Sequence, residues 1–179
     1  MTESENKDSS QAEMRLPKLS AADLRTYSRM AEKMDVYHNH FRQSWNTLYS
    51  ACTANRRPKN LTLPQFLRLG LDFCDKLETH HAIEERYVFP HLARRMPEFK
   101  SGVELLGQHR QIHKGLEEFQ EYLNECKSGG RELRLREMKG IMDGFREVLW
   151  THLDEEVVLL GAENMRKYWS LEEMRKMPM

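Results

Sequence analysis

Long apolar runs are missing from this chain: no stretch of its 179 residues approaches the ~18 consecutive apolar residues that a membrane span requires. The opening MTESENKDSSQAE is polar and acidic rather than cationic and then apolar, so no secretory signal is expected and the cytoplasm is the expected compartment. Neither sign of charge is in excess, with 28 Lys+Arg against 28 Asp+Glu, which leaves no electrostatic footprint for nucleic acid or anionic lipid. Cysteine is scarce. Cys52, Cys74 and Cys126 are odd in number and far apart, which argues against a disulfide framework and against a CxxC zinc or redox motif. Period-two alternation, a glycine-rich phosphate loop, a GxSxG elbow and internal repeats are also absent.

What is there is helical periodicity. The first 15 residues have the composition of a disordered tail, leaving 16–179 as one domain. Ser20-Ala-Ala-Asp23 resembles a capping box opening a first helix whose apolar face runs Tyr27, Ala31, Met34, His38, Phe41, Trp45, Leu48, Cys52. Thr62-Leu-Pro-Gln65 caps a second, with Phe66, Gly70, Phe73, Leu77, His80, Glu84, Tyr87 and His91 on its face; Pro90 is expected to kink it and Pro97 to end it. A third lies between Ser101-Gly102 and Ser128-Gly-Gly130, with Leu106, His109, His113, Leu116 and Leu123 in line. The fourth carries Met138, Met142, Phe145, Leu149, His152, Glu156, Leu159 and Leu160, and Ser170-Leu-Glu-Glu173 starts a short terminal helix. Four such helices with short connections predict an all-α, antiparallel up-down-up-down four-helix bundle.

The stripes are apolar except where they carry histidine and glutamate. Residues four apart share one face of a helix, so His80/Glu84, His109/His113 and His152/Glu156 can each present two ligands inward, with His38 opposite them. About one residue in five is Asp, Glu or His, so one such pair is a weak signal. Three pairs on three helices, all inside apolar stripes, are a strong one. Two registers stay open: His81/Glu85 is as well placed as His80/Glu84, and Glu155 competes with Glu156. His40 falls about 200° around the helix from His38 and is expected to be exposed, and His91 to lie at the surface or behind the ligands. Five imidazoles and two carboxylates exceed the needs of one ion, and mixed N/O ligation without thiolate suits iron or manganese better than structural zinc.

Four segments, His38-Asn-His-Phe-Arg-Gln-Ser-Trp-Asn-Thr-Leu-Tyr49, His80-His-Ala-Ile-Glu-Glu-Arg-Tyr-Val-Phe-Pro90, Gln108-His-Arg-Gln-Ile-His113 and Trp150-Thr-His-Leu-Asp-Glu-Glu156, resemble the hemerythrin-like (HHE cation-binding) domains over about residues 24 to 168. The resemblance favours the His80/Glu84 register. It implies a non-haem di-iron centre in which His109, His113 and His152 bind one iron, His38 and His80 the other, and Glu84 and Glu156 bridge them. A bridging oxo or hydroxo group would complete the pair, and manganese or zinc are alternative metals. Leu149 is implied as an apolar wall of the ligand pocket. Oxygen-carrying members have an Asp where this chain has Val157, and Glu156 takes that bridging role here, which shifts the expectation from reversible oxygen carriage toward handling or sensing of iron and oxidants. The expected function is thus binding of dioxygen or a related diatomic, or iron sensing or storage. The alternatives are a di-iron redox enzyme consuming peroxide or nitric oxide, and a metal-free helical interaction module. No catalytic acid or base is expected, and no nucleic-acid or membrane partner.

Overall fold

The computed structural model describes residues 16–100 and 104–178, so the expected tail, 1–15, lies outside the described residues. The chain forms α1 (Ala21–Thr53), α2 (Leu63–Ile83), a π-helical turn (Glu84–Val88) running into α3 (Phe89–Leu92), α4 (described from Glu104 to Ser128), α5 (Leu135–Leu159), and two short helices, α6 (Ala162–Met165) and α7 (Leu171–Lys176). No strand occurs among the described residues. The single terminal helix expected from the sequence is therefore a pair. Helices α1, α2, α4 and α5 close a ring in which α1 and α4 each pack between α2 and α5, and α6 and α7 lie against α1.

Local chemistry sets the boundaries. Ser20 Oγ accepts from the Asp23 amide, 3.1 Å away, at the start of α1. Thr62 and Gln65 form a complete capping box on α2, satisfying two amide groups that the first turn leaves unpaired. Ser170 and Glu173 do the same for α7. Glycine is required where helices approach closely: a β-carbon on Gly115 would overlap the Phe145 ring, and one on Gly70 would stand 2.6 Å from Leu123 Cδ1.

Just before Pro90, where a kink was expected, the helix widens. A proline in the last turn has no N–H to donate and its ring crowds the carbonyl four residues back. The chain relieves this with a π-turn, in which the Phe89 amide reaches the Glu84 carbonyl five residues before it. One extra residue in the turn rotates everything after it. Tyr87, expected on the buried face, is 61% exposed, while Phe89 and Leu92 are buried in its place.

The core falls into two apolar bodies. One, led by Phe41, Trp45, Phe73, Phe119 and Phe145, fills the bundle on the side of the α1–α2 loop. The other, led by Met34, Phe89, Leu92, Met165 and Trp169, gathers the ends of the helices under α6 and α7. Between them, in chain order, sit His38 (between Met34 and Phe41), His80 to Glu84 (between Leu77 and Phe89), His109 (between Leu105 and Ile112) and His152 to Glu156 (between Leu149 and Leu160).

Candidate metal centre

Among the described residues, seven polar side chains are buried in the bundle: His38, His81, Glu84, Gln108, His109, His152 and Glu156. Six of them, all but Gln108, make two groups with His80, whose side chain is only 11% exposed, and the groups share one carboxylate. His38, His80, Glu84 and Glu156 bring one donor atom each within 4.8 Å of one another, and so do His81, Glu84, His109 and His152.

The carboxylates lie between the two groups. Glu84 Oε1 is 2.8 Å from His80 Nε2, and its Oε2 is 3.5 Å from His109 Nε2. Glu156 Oε2 is 3.3 Å from His38 Nε2 and 3.7 Å from His152 Nε2. Despite these distances, both oxygens of each carboxylate, and the Nε2 atoms of His38, His80 and His81, lack hydrogen-bond geometry to any partner. The atoms converge on common points rather than on one another.

The outer edges of the imidazoles explain that convergence. His38 Nδ1 donates to the Leu153 carbonyl at 2.9 Å, and His109 Nδ1 to Glu85 at 2.7 Å. His152 Nδ1 donates to Gln108 Oε1 at 3.3 Å, and Gln108 Nε2 in turn donates to Glu155 at 2.7 Å. A neutral imidazole with its proton on Nδ1 carries a lone pair on Nε2. The His109 and His152 Nε2 atoms, 3.3 Å apart, therefore face each other lone pair to lone pair, with carboxylate oxygens beside them. Protonation could relieve the repulsion, but burial opposes it. Burial, with His38 and His109 nearby, holds His80 down at about 3; burial also pushes His81 and His152 well below the usual histidine value and lowers His109 against the pull of Glu85. Glu84 is pushed well up by burial and then by Glu156 and Glu85, and Glu156 is pushed up by burial against the opposing pull of His38.

A metal ion fits this donor set. At metal–ligand lengths of about 2.1 Å, cis donors stand about 3 Å apart and trans donors about 4.2 Å, and the separations above fall in or near that range. The Nδ1 contacts are the outer partners that orient metal-binding histidines. Thiolates take no part, since Cys52, Cys74 and Cys126 are all buried and unpaired elsewhere in the bundle.

Of the residues singled out in the sequence, His38, His80, Glu84, His109, His152 and Glu156 converge in the two groups. His113 belongs to neither; it is half-buried at the edge, its Nε2 3.4 Å from His81 Nδ1. His81 takes a place inside. Leu149 is buried one turn before His152, in the apolar body on the loop side. His40 is exposed, 3.4 Å from Lys76 Nζ, and His91 stacks on Trp169, away from the site. His80 and His81 are consecutive in the regular part of α2, and both turn toward the interior with Glu84, while Glu85 reaches His109 from behind. Glu155 supports Gln108 rather than facing the cluster.

The profile of the hemerythrin HHE cation binding domain matches residues 29–160. The chain belongs to this family. The HHE match spans all four segments that carry the site. The chain is also 25% identical over 147 residues to the dimeric xanthone biosynthesis cluster protein R11 of Cryptosporiopsis sp. (strain 8999), covering 79% of this chain and 55% of that protein. The chain thus spans little more than half the length of that relative. Comparison with solved structures gives no significant match. Among the described residues no helix is long and apolar enough to cross a membrane.

Proposed function

We propose that this HHE domain holds two non-haem iron ions and uses them to bind dioxygen or a related diatomic, or to sense or store iron, in the cytoplasm. The observation that carries the reading is the pair of buried carboxylates, Glu84 and Glu156, each placed between imidazoles of both groups and hydrogen-bonded to none. His38 and His80 would hold one ion, and His81, His109 and His152 the other, with both glutamates shared. The first group has fewer protein donors and would be the one to leave room for an exogenous ligand. Iron in this setting would supply redox chemistry, and manganese or zinc would satisfy the same donors. The chain's own part is to exclude water, to keep Nε2 lone pairs aimed inward through the Nδ1 contacts, and to wall the site with Leu149.

Metal content per chain, measured beside an absorption spectrum taken anaerobically and then in air, tests this reading. About two irons per chain, with an absorbance change on admitting air that reverses under vacuum, is the expected result. Steady consumption of peroxide or nitric oxide would move the assignment to a redox enzyme on the same scaffold. A chain that takes up no metal, and whose melting is unchanged by added iron, would overturn it.

A further inference from the structure

The two groups of histidine and glutamate are closed to solvent except at one edge. The side chains of His38, His109, His152 and Glu156 are fully buried, that of Glu84 nearly so, and His81 is buried with them; His80 keeps its 11%. His38, His109 and His152 also have their outer nitrogens braced by a carbonyl, a carboxylate and an amide oxygen. Rings hold His80. On its inner flank His38 meets it edge to face, centroids 5.4 Å apart and planes at 80°, and Phe41 lies 5.1 Å away. On its outer flank stands Tyr37, the residue before His38 in α1, with its ring centroid 5.6 Å from that of His80 and its plane tilted by 45°. Tyr37 is 48% exposed, and Ile83, three residues after His80 on α2, is 50% exposed, so the lip of the groove between α1 and α2 is apolar. The contact of His40 with Lys76, at 3.4 Å, closes the groove on the side of the α1–α2 loop. On the other side of the bundle Glu155 and Val158 line a cavity between α4 and α5, but Gln108, hydrogen-bonded to both Glu155 and His152, stands between it and the donors.

We propose that the edge of His80 is the entrance to the centre and that Tyr37 is its lid: the phenol ring laid against His80 keeps bulky solutes out, and its swing into solvent admits an ion or a small exogenous ligand to the group of His38 and His80. One aromatic pair is worth about 2- to 10-fold in population, enough to hold the ring closed for most of the time and little enough for side-chain motion to open it without unfolding α1. Tyr37 thereby selects by size, passing a diatomic molecule and delaying a multidentate chelator. The inference rests on the two-metal reading for what passes, but the cover over His80 is a property of the chain without metal.

Two measurements on the full chain test it. In the metal-free protein, carbethoxylation by diethyl pyrocarbonate, mapped by tandem mass spectrometry, reads the cover directly, because the reagent must reach the imidazole from solvent. His80 is expected to react slowly in the parent and in Tyr37→Phe, which keeps the ring, and about 2- to 10-fold faster in Tyr37→Ala, with His91, stacked on Trp169, as the unchanged reference. In protein loaded with cobalt(II), the loss of visible absorption on adding EDTA reads the passage. Tyr37→Ala is expected to bind as many ions as the parent and to release them faster by a similar factor, while Tyr37→Phe and Val158→Ala release at the parent's rate. Unchanged rates in Tyr37→Ala would overturn the proposal, and so would an equal acceleration in Val158→Ala, which would put the entrance between α4 and α5. If the parent takes up no cobalt, the two-metal reading fails, and the labelling rates still decide whether Tyr37 covers His80.

Discussion

The apolar layer around Trp45 and the polar layer around Glu84 are built on the same helices with the same periodicity, yet they contribute to the fold in opposite ways. In the first, Trp45 meets Phe145 and Phe73 edge to face, at 5.1 and 5.8 Å between centroids, and every atom buried there is stabilised by leaving water. In the second, the carboxylate oxygens of Glu84 and Glu156 and the Nε2 atoms of His38, His80 and His81 are taken out of water without a hydrogen-bond partner, which costs free energy unless a cation supplies one. Helical spacing thus says which positions face inward, and only residue chemistry says whether they stabilise the bundle or draw on its stability.

The largest effect that would sharpen this contrast comes from matched substitutions in the two layers. Trp45→Ala is expected to lower stability by about 3–5 kcal/mol while the folded fraction keeps its metal stoichiometry. Glu84→Leu is expected to abolish two-ion binding and yet stabilise the metal-free chain by about 1–4 kcal/mol, since an apolar residue replaces an uncompensated buried carboxylate. Denaturant titration with and without chelator checks both, and a Glu84→Leu protein less stable than the chelated parent would break the comparison.

A smaller effect is expected from pH. In the metal-free chain the raised Glu84 and Glu156 favour folding while they remain protonated, so their contribution is present below the ordinary value of 4.5 and is lost as pH rises through their folded values. The depressed His80 acts the other way, favouring folding above 6.5 and losing that contribution as pH falls toward about 3. Bound ions require the carboxylates ionised and the imidazoles neutral. The gap in melting temperature between loaded and chelated protein should therefore widen from about pH 5 to about pH 7.5; a gap independent of pH would contradict the account of the polar layer.

The smallest effect lies outside both layers: His40→Ala should leave metal content and melting temperature within error of the parent, because His40 is exposed on α1 and its ring nitrogen meets Lys76 there. Loss of metal in this variant would mean that the boundary between the site and the surface is drawn in the wrong place.

Much of this was legible before any coordinates. The alternation of three and four along α1 placed His38 and Trp45 on one buried face, as found. The second helix was harder, because His80/Glu84 and His81/Glu85 both satisfy a regular helix and a regular helix can turn only one pair inward. The structure avoids the choice: His80, His81 and Glu84 face in and Glu85 serves His109. Pro90 is the sign in the sequence of the π-turn that follows these histidines. The exposed Tyr87 follows from the same shift. The supporting contacts of Gln108 and Glu85 could not be read from spacing, since they depend on how α4 sits against α2 and α5. His113, expected among the ligands from its place four after His109 and from the family resemblance, has the ring of His81 on α2 as its neighbour.

The shared glutamates also have a topological consequence. The chain has no cross-link of its own, but an ion pair spanning Glu84 and Glu156 would tie α1 to α5, residues 38 and 156, and α2 to α4, across sequence separations that a covalent bridge would close permanently. Such a staple is reversible and set by supply: the same four helices would be loosely or firmly knotted according to how much metal surrounds them, and the π-turn is the place where both threads of the knot pass through a single side chain.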